Sequence, residues 1–142
     1  MLKPVAFWDT SVLVTLCVDQ TPSPQALLFE GKYRIAVWWA THVEIASAVA
    51  QLLRQQKITA VEYAQAKQQA EHLAIIWRTV APSARIAFQA RVLLEQYPLR
   101  AADALQLAAA LAWCEDKPNG NVFLSFDQRL REAAGQAGFT LE

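Results

Sequence analysis

The sequence contains little of what several large protein classes require. Its two cysteines, Cys17 and Cys114, lie in apolar stretches and have no partner at the spacing of a metal-binding pair. We therefore expect buried free thiols in a reducing compartment. No apolar run approaches the roughly 18 residues of a membrane span, and the stretch between Lys3 and Asp9 is too short for a signal-peptide core. We expect a soluble, cytoplasmic protein with no membrane association.

The chain also lacks an excess of charge of either sign. Thirteen basic and thirteen acidic residues cancel, so no overall attraction to nucleic acid or to an anionic membrane is predicted. A substrate that carries phosphate must then be held by local groups. Charged residues make up 18% of the chain against a usual share of about 25%, while 54% is hydrophobic. This composition leaves apolar surface for a partner and favours an oligomer.

The length and the pattern together predict a single domain. A chain of 142 residues, with no repeats, low-complexity segments or linker, fits one domain over 1–142. Short apolar runs at 5–8, 35–39, 75–80 and 122–126 are typical of buried strands, and 139–141 can add an edge strand. Helical patterns cover 10–18, 24–29, 41–53, 59–73, 82–97, 100–111 and 128–137, with breaks at 21–24 and Gly31. The alternation predicts an α/β fold with a parallel sheet flanked by helices.

Acidic residues follow the ends of three predicted strands. Asp9, Glu44 and Asp127 each come directly or shortly after a strand, and Asp103 opens an Ala-rich helix. Because the carboxyl ends of parallel strands lie along one edge of the sheet, we expect these side chains to lie close together. The pattern favours a metal site at that edge.

Each acid has a structural alternative. Asp9 and Asp127 can be helix N-caps, and Glu44 can form a capping box with Thr41. Asp103 can stabilise the dipole of its helix or pair with Arg100. From the residues alone, these alternatives stay open.

Clustered carboxylates repel one another, so at least one would stay protonated at neutral pH unless a cation neutralises the cluster. Ligation by oxygen alone, with no Cys or His partner, points to Mg²⁺ or Mn²⁺, which bind phosphates and retain water. The reaction class that follows is metal-assisted hydrolysis of a phosphoester, with one or two ions.

In combination, four segments resemble PIN-domain ribonucleases, especially VapC-type toxins of toxin–antitoxin systems. The resemblance covers nearly the whole chain, and all four acids occur in the family's order. Its segments are Trp8-Asp9-Thr10-Ser11, Glu44 with Ala48 four residues later, the stretch from Arg100 to Ala108, and Ser125-Phe126-Asp127-Gln128-Arg129-Leu130.

The resemblance implies a PIN-like three-layer fold with a parallel sheet of about five strands. It also implies a Mg²⁺- or Mn²⁺-dependent endoribonuclease that acts on RNA, forms a homodimer and is inhibited by a cognate antitoxin protein. The principal acids and metal ligands would be Asp9, Glu44 and Asp103, with Asp127 as a fourth and less constant acid. Thr10, Ser11 and Ser125 would be supporting hydroxyls, with Ser125 standing where the family often has threonine.

Other polar and aromatic residues have two readings. Arg100, Arg129 and Arg131 lie near the acids in sequence and either contact RNA phosphates or are solvated helix residues. His42 and His72 are not needed as bases. The adjacent Trp38 and Trp39 favour packing over base stacking, because neighbours in a strand point to opposite faces.

Three other functions compete with the nuclease. A haloacid-dehalogenase-like phosphatase requires a second Asp where Ser11 stands, and a receiver domain requires additional acids and a late lysine that we do not find. The stronger alternative is a catalytically inactive PIN-like module that binds RNA or protein. Retention of all four acids argues against it.

Overall fold

The computed structural model describes residues 2–18 and 23–142. The predicted break at 21–24 lies partly outside them, since Thr21 and Pro22 are not described. Within the described part, four parallel strands form one sheet: β1 Val5–Trp8, β2 Arg34–Trp38, β3 Arg78–Val80 and β4 Phe123–Leu124. The helices are α1 Thr10–Val18, α2 Pro24–Lys32, α3 Thr41–Arg54, α4 Ala60–Ile76, α5 Ala84–Gln96, α6 Ala101–Trp113 and α7 Gln128–Ala137. The predicted α/β fold with a parallel sheet is confirmed.

Helices pack on both faces of the sheet, and the side chains of β1 alternate between the two cores that result. Ala6 and Trp8 pack into one core with residues of α1 to α4. Phe7 points to the opposite face and packs with residues of α5, α6 and α7. Strands that are buried on both faces read as continuous apolar runs, which is why β1 is Val-Ala-Phe-Trp.

The strand order places the first and last strands side by side. The order is β3-β2-β1-β4, so β1 lies at the centre between β2 and β4. Trp8 is in register with Leu124, and the backbone N–H of Asp9 donates to the carbonyl of Leu124 at 2.8 Å. The residues that follow the two strands, Asp9 and Ser125, therefore meet at the carboxyl edge of the sheet.

The sheet has four strands where about five were predicted. The segment 139–141 contributes a single parallel bridge, between Thr140 and Val122, rather than a strand. The predicted strand at 75–80 is also shorter, because Ile75 and Ile76 continue α4 and are 79% and 69% exposed. Periodicity alone cannot distinguish a short apolar run at a helix end from a strand.

Glycine ends one helix and is accommodated in another. The predicted stop at Gly31 is wrong: α2 continues through it to Lys32, and the extended Tyr33 donates its N–H to the carbonyl of Phe29 at 2.8 Å. Gly138 does end α7, with a φ of 113° that residues with a side chain rarely adopt.

Among the described residues, no helix is long and apolar enough to cross a membrane.

These two glycines give a matched prediction. A Cβ on Gly138 would lie 2.9 Å from Cγ of Pro118, so Gly138→Ala should lower the free energy of unfolding by about 1–3 kcal/mol. A Cβ on Gly31 would meet nothing within 4 Å, so Gly31→Ala should raise it by roughly 0.5–1 kcal/mol. Urea unfolding of both variants measures the difference, and equal effects would contradict the assigned backbone geometry.

Candidate active site

Asp9 lies at the end of β1 and is 5% exposed. Its Oδ2 accepts hydrogen bonds from Oγ of Ser11 at 2.6 Å and Oγ of Ser125 at 2.9 Å. A longer contact of 3.4 Å from the N–H of Ser11 gives Asp9 some capping character. Burial raises the pKa of the Asp9 carboxyl, and the bonds from the two serines only partly offset that effect.

The two serine hydroxyls also fix the loop that carries Asp127. Ser11 Oγ accepts the backbone N–H of Phe126 at 2.9 Å, and Ser125 Oγ accepts the N–H of Asp127 at 3.0 Å. Ser125 is fully buried directly after β4, and its bond to Asp9 links the end of the last strand to the end of the first. The hydroxyls predicted to be supporting therefore hold one carboxylate directly and the backbone of a second acid.

Glu44 lies in the first turn of α3 and receives donors from three other elements. Thr10 Oγ1 donates to its Oε2 at 3.3 Å, and Trp38 Nε1 donates to its Oε1 at 3.2 Å. Gln106 Nε2 reaches Oε1 at 3.3 Å and Oε2 at 3.5 Å. Burial raises the pKa of Glu44 and the charge of Asp9 adds to the increase, whereas the three donors oppose it.

The capping box considered for Glu44 is absent. The N-cap of α3 is Ala40, with no side-chain capping bond, so Thr41 is the first helical residue. Glu44 is then one position too far along to reach back to the cap, and its carboxylate faces the site instead. A capping box does form at Thr59 and Glu62, at the start of α4.

Asp103 and Asp127 both line a cleft of about 570 Å³, which Arg100 and Arg129 also line. Asp103 is half-buried in the first turn of α6, and its pKa is raised by burial, then by the charges of Asp127 and Asp9. Asp127 is exposed and caps α7 through Oδ1, which accepts the N–H of Leu130 at 2.9 Å. The capping alternative for Asp127 is therefore present in the structure.

The charge of Asp9 acts on both Glu44 and Asp103, and that of Asp127 acts on Asp103, but the four acids do not form a ready-made cage for a cation. Within residues 2–18 and 23–142, no three His, Cys, Asp or Glu side chains are arranged to hold a metal ion. The donor set nevertheless suits Mg²⁺ or Mn²⁺, since Mg²⁺ is usually held by one or two carboxylates together with water and phosphate oxygens. Asp9 is buried and Glu44 is half-buried, and the pKa of each carboxyl is raised, so a bound cation would stabilise their ionised forms.

The other basic residues differ in their surroundings. Arg131 Nη1 donates to the carbonyls of Ser125 at 3.2 Å and Glu142 at 3.1 Å, which fixes the active-site loop. His42 pairs with Glu71 at 3.2 Å across α3 and α4. These contacts give Arg131 and His42 structural roles.

Sequence reasoning missed the contribution of Gln106 and assigned Trp38 only to packing. Trp38 is 7% exposed and Trp39 is 59% exposed, as expected for neighbours on opposite faces, yet the Trp38 indole also binds Glu44. Gln106 is a fully buried polar residue between apolar neighbours in α6. That contrast was the available signal in the sequence.

Comparisons with known proteins agree with this fold. The PIN domain family model matches residues 6–136. Ribonuclease VapC45 of Mycobacterium tuberculosis is 31% identical over 136 residues, which cover 95% of this chain and 92% of the relative.

Solved structures show the same fold at lower sequence identity. A toxin–antitoxin complex from Klebsiella pneumoniae superposes with a TM-score of 0.64 at 19% identity, covering 87% of this chain and 88% of that one. VapBC2 from Rickettsia felis, bound to a DNA fragment from its promoter, gives 0.64 at 16% identity and covers 97% of both chains. The chain therefore belongs to the PIN-domain family, and within it to the VapC group.

Proposed function

We propose that this protein is the ribonuclease toxin of a VapBC-type pair, an endoribonuclease that hydrolyses RNA in the cytoplasm with Mg²⁺ or Mn²⁺. The observation that carries the proposal is the burial of Asp9 beside Glu44 at the carboxyl edge of the sheet, with the pKa of both carboxyls raised. A curated relative named as a ribonuclease matches over nearly the whole chain. Neighbouring carboxyls with raised pKa values are unfavourable in their ionised forms without a cation, and they are suited to binding one.

Each side chain has a defined part in this proposal. Asp9, Glu44 and Asp103 would hold the cation, and Asp127 would complete the open side of the site. Ser11 and Ser125 orient Asp9, while Thr10 orients Glu44. When bound, the cation acidifies a water for attack on phosphorus and offsets charge on the phosphoryl group.

Arg100 and Arg129 would contact the RNA backbone. Both line the cleft that also contains Asp103 and Asp127. A chain with no net charge must hold a phosphodiester through local cations, and these two arginines lie beside the proposed reaction centre. They would position the phosphate against the carboxylate edge.

The experiment is cleavage of structured RNAs by the purified protein with Mg²⁺, with Mn²⁺ and with excess chelator. We expect cleavage only with metal. Asp116→Asn is the matched control, because Asp116 is exposed and pairs with Arg85 away from the acids. RNA binding without cleavage under every metal condition would instead support the inactive binding module.

The proposed antitoxin would bind the groove between α3 and α4. This groove is lined mainly by small and apolar side chains, with an ion pair at one end: Ile45, Ala46, Val49, Ala66, Ala70, Lys67, His42 and Glu71. In the related family an antitoxin arginine often reaches the acidic pocket, which suits an unneutralised group of carboxylates. A homodimer is proposed as well, since exposed apolar residues such as Phe88 remain on other surfaces.

Substitution in the groove should separate binding from catalysis. Ala46→Arg places a long charged side chain at an exposed groove position and should weaken antitoxin binding at least 10-fold while RNA cleavage persists. Gln65→Arg is the control, because helical spacing puts residue 65 on the side of α4 away from Lys67 and Ala70, which line the groove. The measurement is calorimetric titration with the product of an adjacent antitoxin-like reading frame, which has first to be identified. Equal affinities for the two variants would contradict the assigned groove.

A further inference from the structure

Gln106 is a fully buried amide on a helix whose other buried residues are apolar. Along α6 those neighbours are Ala104 and the run from Leu107 to Leu111. Burying an amide costs free energy unless it is hydrogen-bonded, so a polar residue at this position requires an explanation. The apolar packing of α6 alone does not supply one.

Among residues 2–18 and 23–142, the hydrogen bonds of the Gln106 side chain all come from its donor end. Nε2 donates to Thr10 Oγ1 at 3.0 Å and lies 3.3 Å and 3.5 Å from the two carboxylate oxygens of Glu44. Thr10 in turn donates to Glu44 Oε2 at 3.3 Å. Gln106 therefore contacts Glu44 both directly and through Thr10.

The acceptor end of the same amide is unsatisfied. In the part of the chain that the structure describes, Oε1 of Gln106 is buried without a hydrogen-bond partner. An unpaired buried acceptor destabilises the folded protein, so the amide is a poor choice for fold stability. Its benefit lies in the two N–H groups that meet Thr10 and Glu44.

We propose that Gln106 is a positioning residue that fixes the Glu44 carboxylate in the orientation in which it binds the divalent cation. This rests on the proposed function. Asp103 precedes Gln106 by three residues on the same helix, so Gln106 also links the element that carries Asp103 to the carboxylate on α3. Partners that orient a metal ligand typically change metal affinity 10–100-fold when removed.

The test is direct titration of the purified protein with Mn²⁺, following free Mn²⁺ by electron paramagnetic resonance. Gln106→Met keeps the length and removes both donors together with the unpaired acceptor, so the fold should survive. We expect Mn²⁺ affinity to fall about 10–100-fold. Leu107→Met is the matched control, because it is a volume-conserving change at the next buried position of α6 and should leave Mn²⁺ affinity unchanged.

A double-mutant cycle separates positioning from a general structural role. If Gln106 acts through Glu44, adding Gln106→Met to Glu44→Gln should change Mn²⁺ affinity no further. Additive losses would overturn the proposal, as would a Gln106→Met protein that binds Mn²⁺ as tightly as the parent. Gln106→Asn, which withdraws the amide by one methylene, serves as a second variant, and failure of both variants to fold would make Gln106 a requirement of the fold instead.

The outcomes also distinguish this inference from the proposed function. A parent protein that binds Mn²⁺ and cleaves RNA, together with an unaffected Gln106→Met variant, removes only the role of Gln106. A parent protein that neither binds Mn²⁺ nor cleaves RNA removes the proposed function and the positioning role with it.

Discussion

Asp9→Asn is expected to reduce RNA cleavage by more than about 100-fold, since changing even an outer partner of a metal ligand typically costs 10–100-fold. The variant keeps the shape of the side chain and an oxygen that can accept from Ser11 and Ser125, and it loses the ligand charge. Glu44→Gln and Asp103→Asn should have comparable effects. Asp127→Asn should cost less, because Asp127 is exposed and already caps α7.

The measurement is the single-turnover cleavage rate of an RNA that the parent protein cuts with Mn²⁺. Circular dichroism of each variant confirms that the fold persists, and Asp116→Asn controls for removal of an exposed carboxylate elsewhere. Parent-level cleavage by Asp9→Asn, prepared free of wild-type enzyme, would remove the proposed site.

The second large effect is on stability: Asp103→Asn should raise the melting temperature in chelator and shrink the gain produced by Mn²⁺. Burial and the charges of Asp127 and Asp9 raise the pKa of Asp103 above its ordinary value of 3.8. The folded state therefore holds the proton more tightly than the unfolded state, and stability falls as pH rises from the ordinary pKa through the raised one. At neutral pH the ionised carboxylate is destabilising, and removing it relieves the repulsion.

In excess Mn²⁺, the parent protein should gain more stability than Asp103→Asn. A cation that binds only the folded state stabilises it by mass action, and the variant lacks one ligand for that cation. If Asp103 only favours the dipole of α6, Asp103→Asn should instead lower stability by roughly 0.3–1 kcal/mol and leave the metal response unchanged. Thermal unfolding of both proteins, in chelator and in excess Mn²⁺ at pH 7 and near pH 4, distinguishes the two roles.

The parts of the site that could be predicted from the sequence follow from the topology. A parallel sheet places the ends of all its strands along one edge, so the strand that ends at Asp9 and the one that runs into Ser125 and Asp127 are expected at the same edge. The strand order, which makes β1 and β4 neighbours and brings Asp9 to Ser125, could not be predicted from the sequence. The identity of these acids as ligands stays a prediction. Topology fixes which strand ends are neighbours, and it leaves the orientation of each carboxylate open.

The features that could not be predicted are those for which two local structures compete for the same residues. Thr41 and Glu44 have the spacing of a capping box, but α3 begins one residue earlier than that box requires, and Glu44 finds donors on other elements. Ile75 and Ile76 are of a residue type that is typical of strands, yet they extend α4. The partners of Gln106 could not be predicted, because a single polar residue in an Ala-rich helix carries no periodic signal of what it contacts.

The placement of β4 beside β1 has a consequence for how the activity would first appear in a cell. Ser125 binds Asp9 across 116 residues of sequence, and Ser11 binds the backbone of Phe126. During synthesis, β1 leaves the ribosome long before the segment that completes its carboxyl edge. A growing chain therefore carries Asp9 with Ser11 but without Ser125, and the proposed site is assembled only after the segment that contains Ser125 has been made.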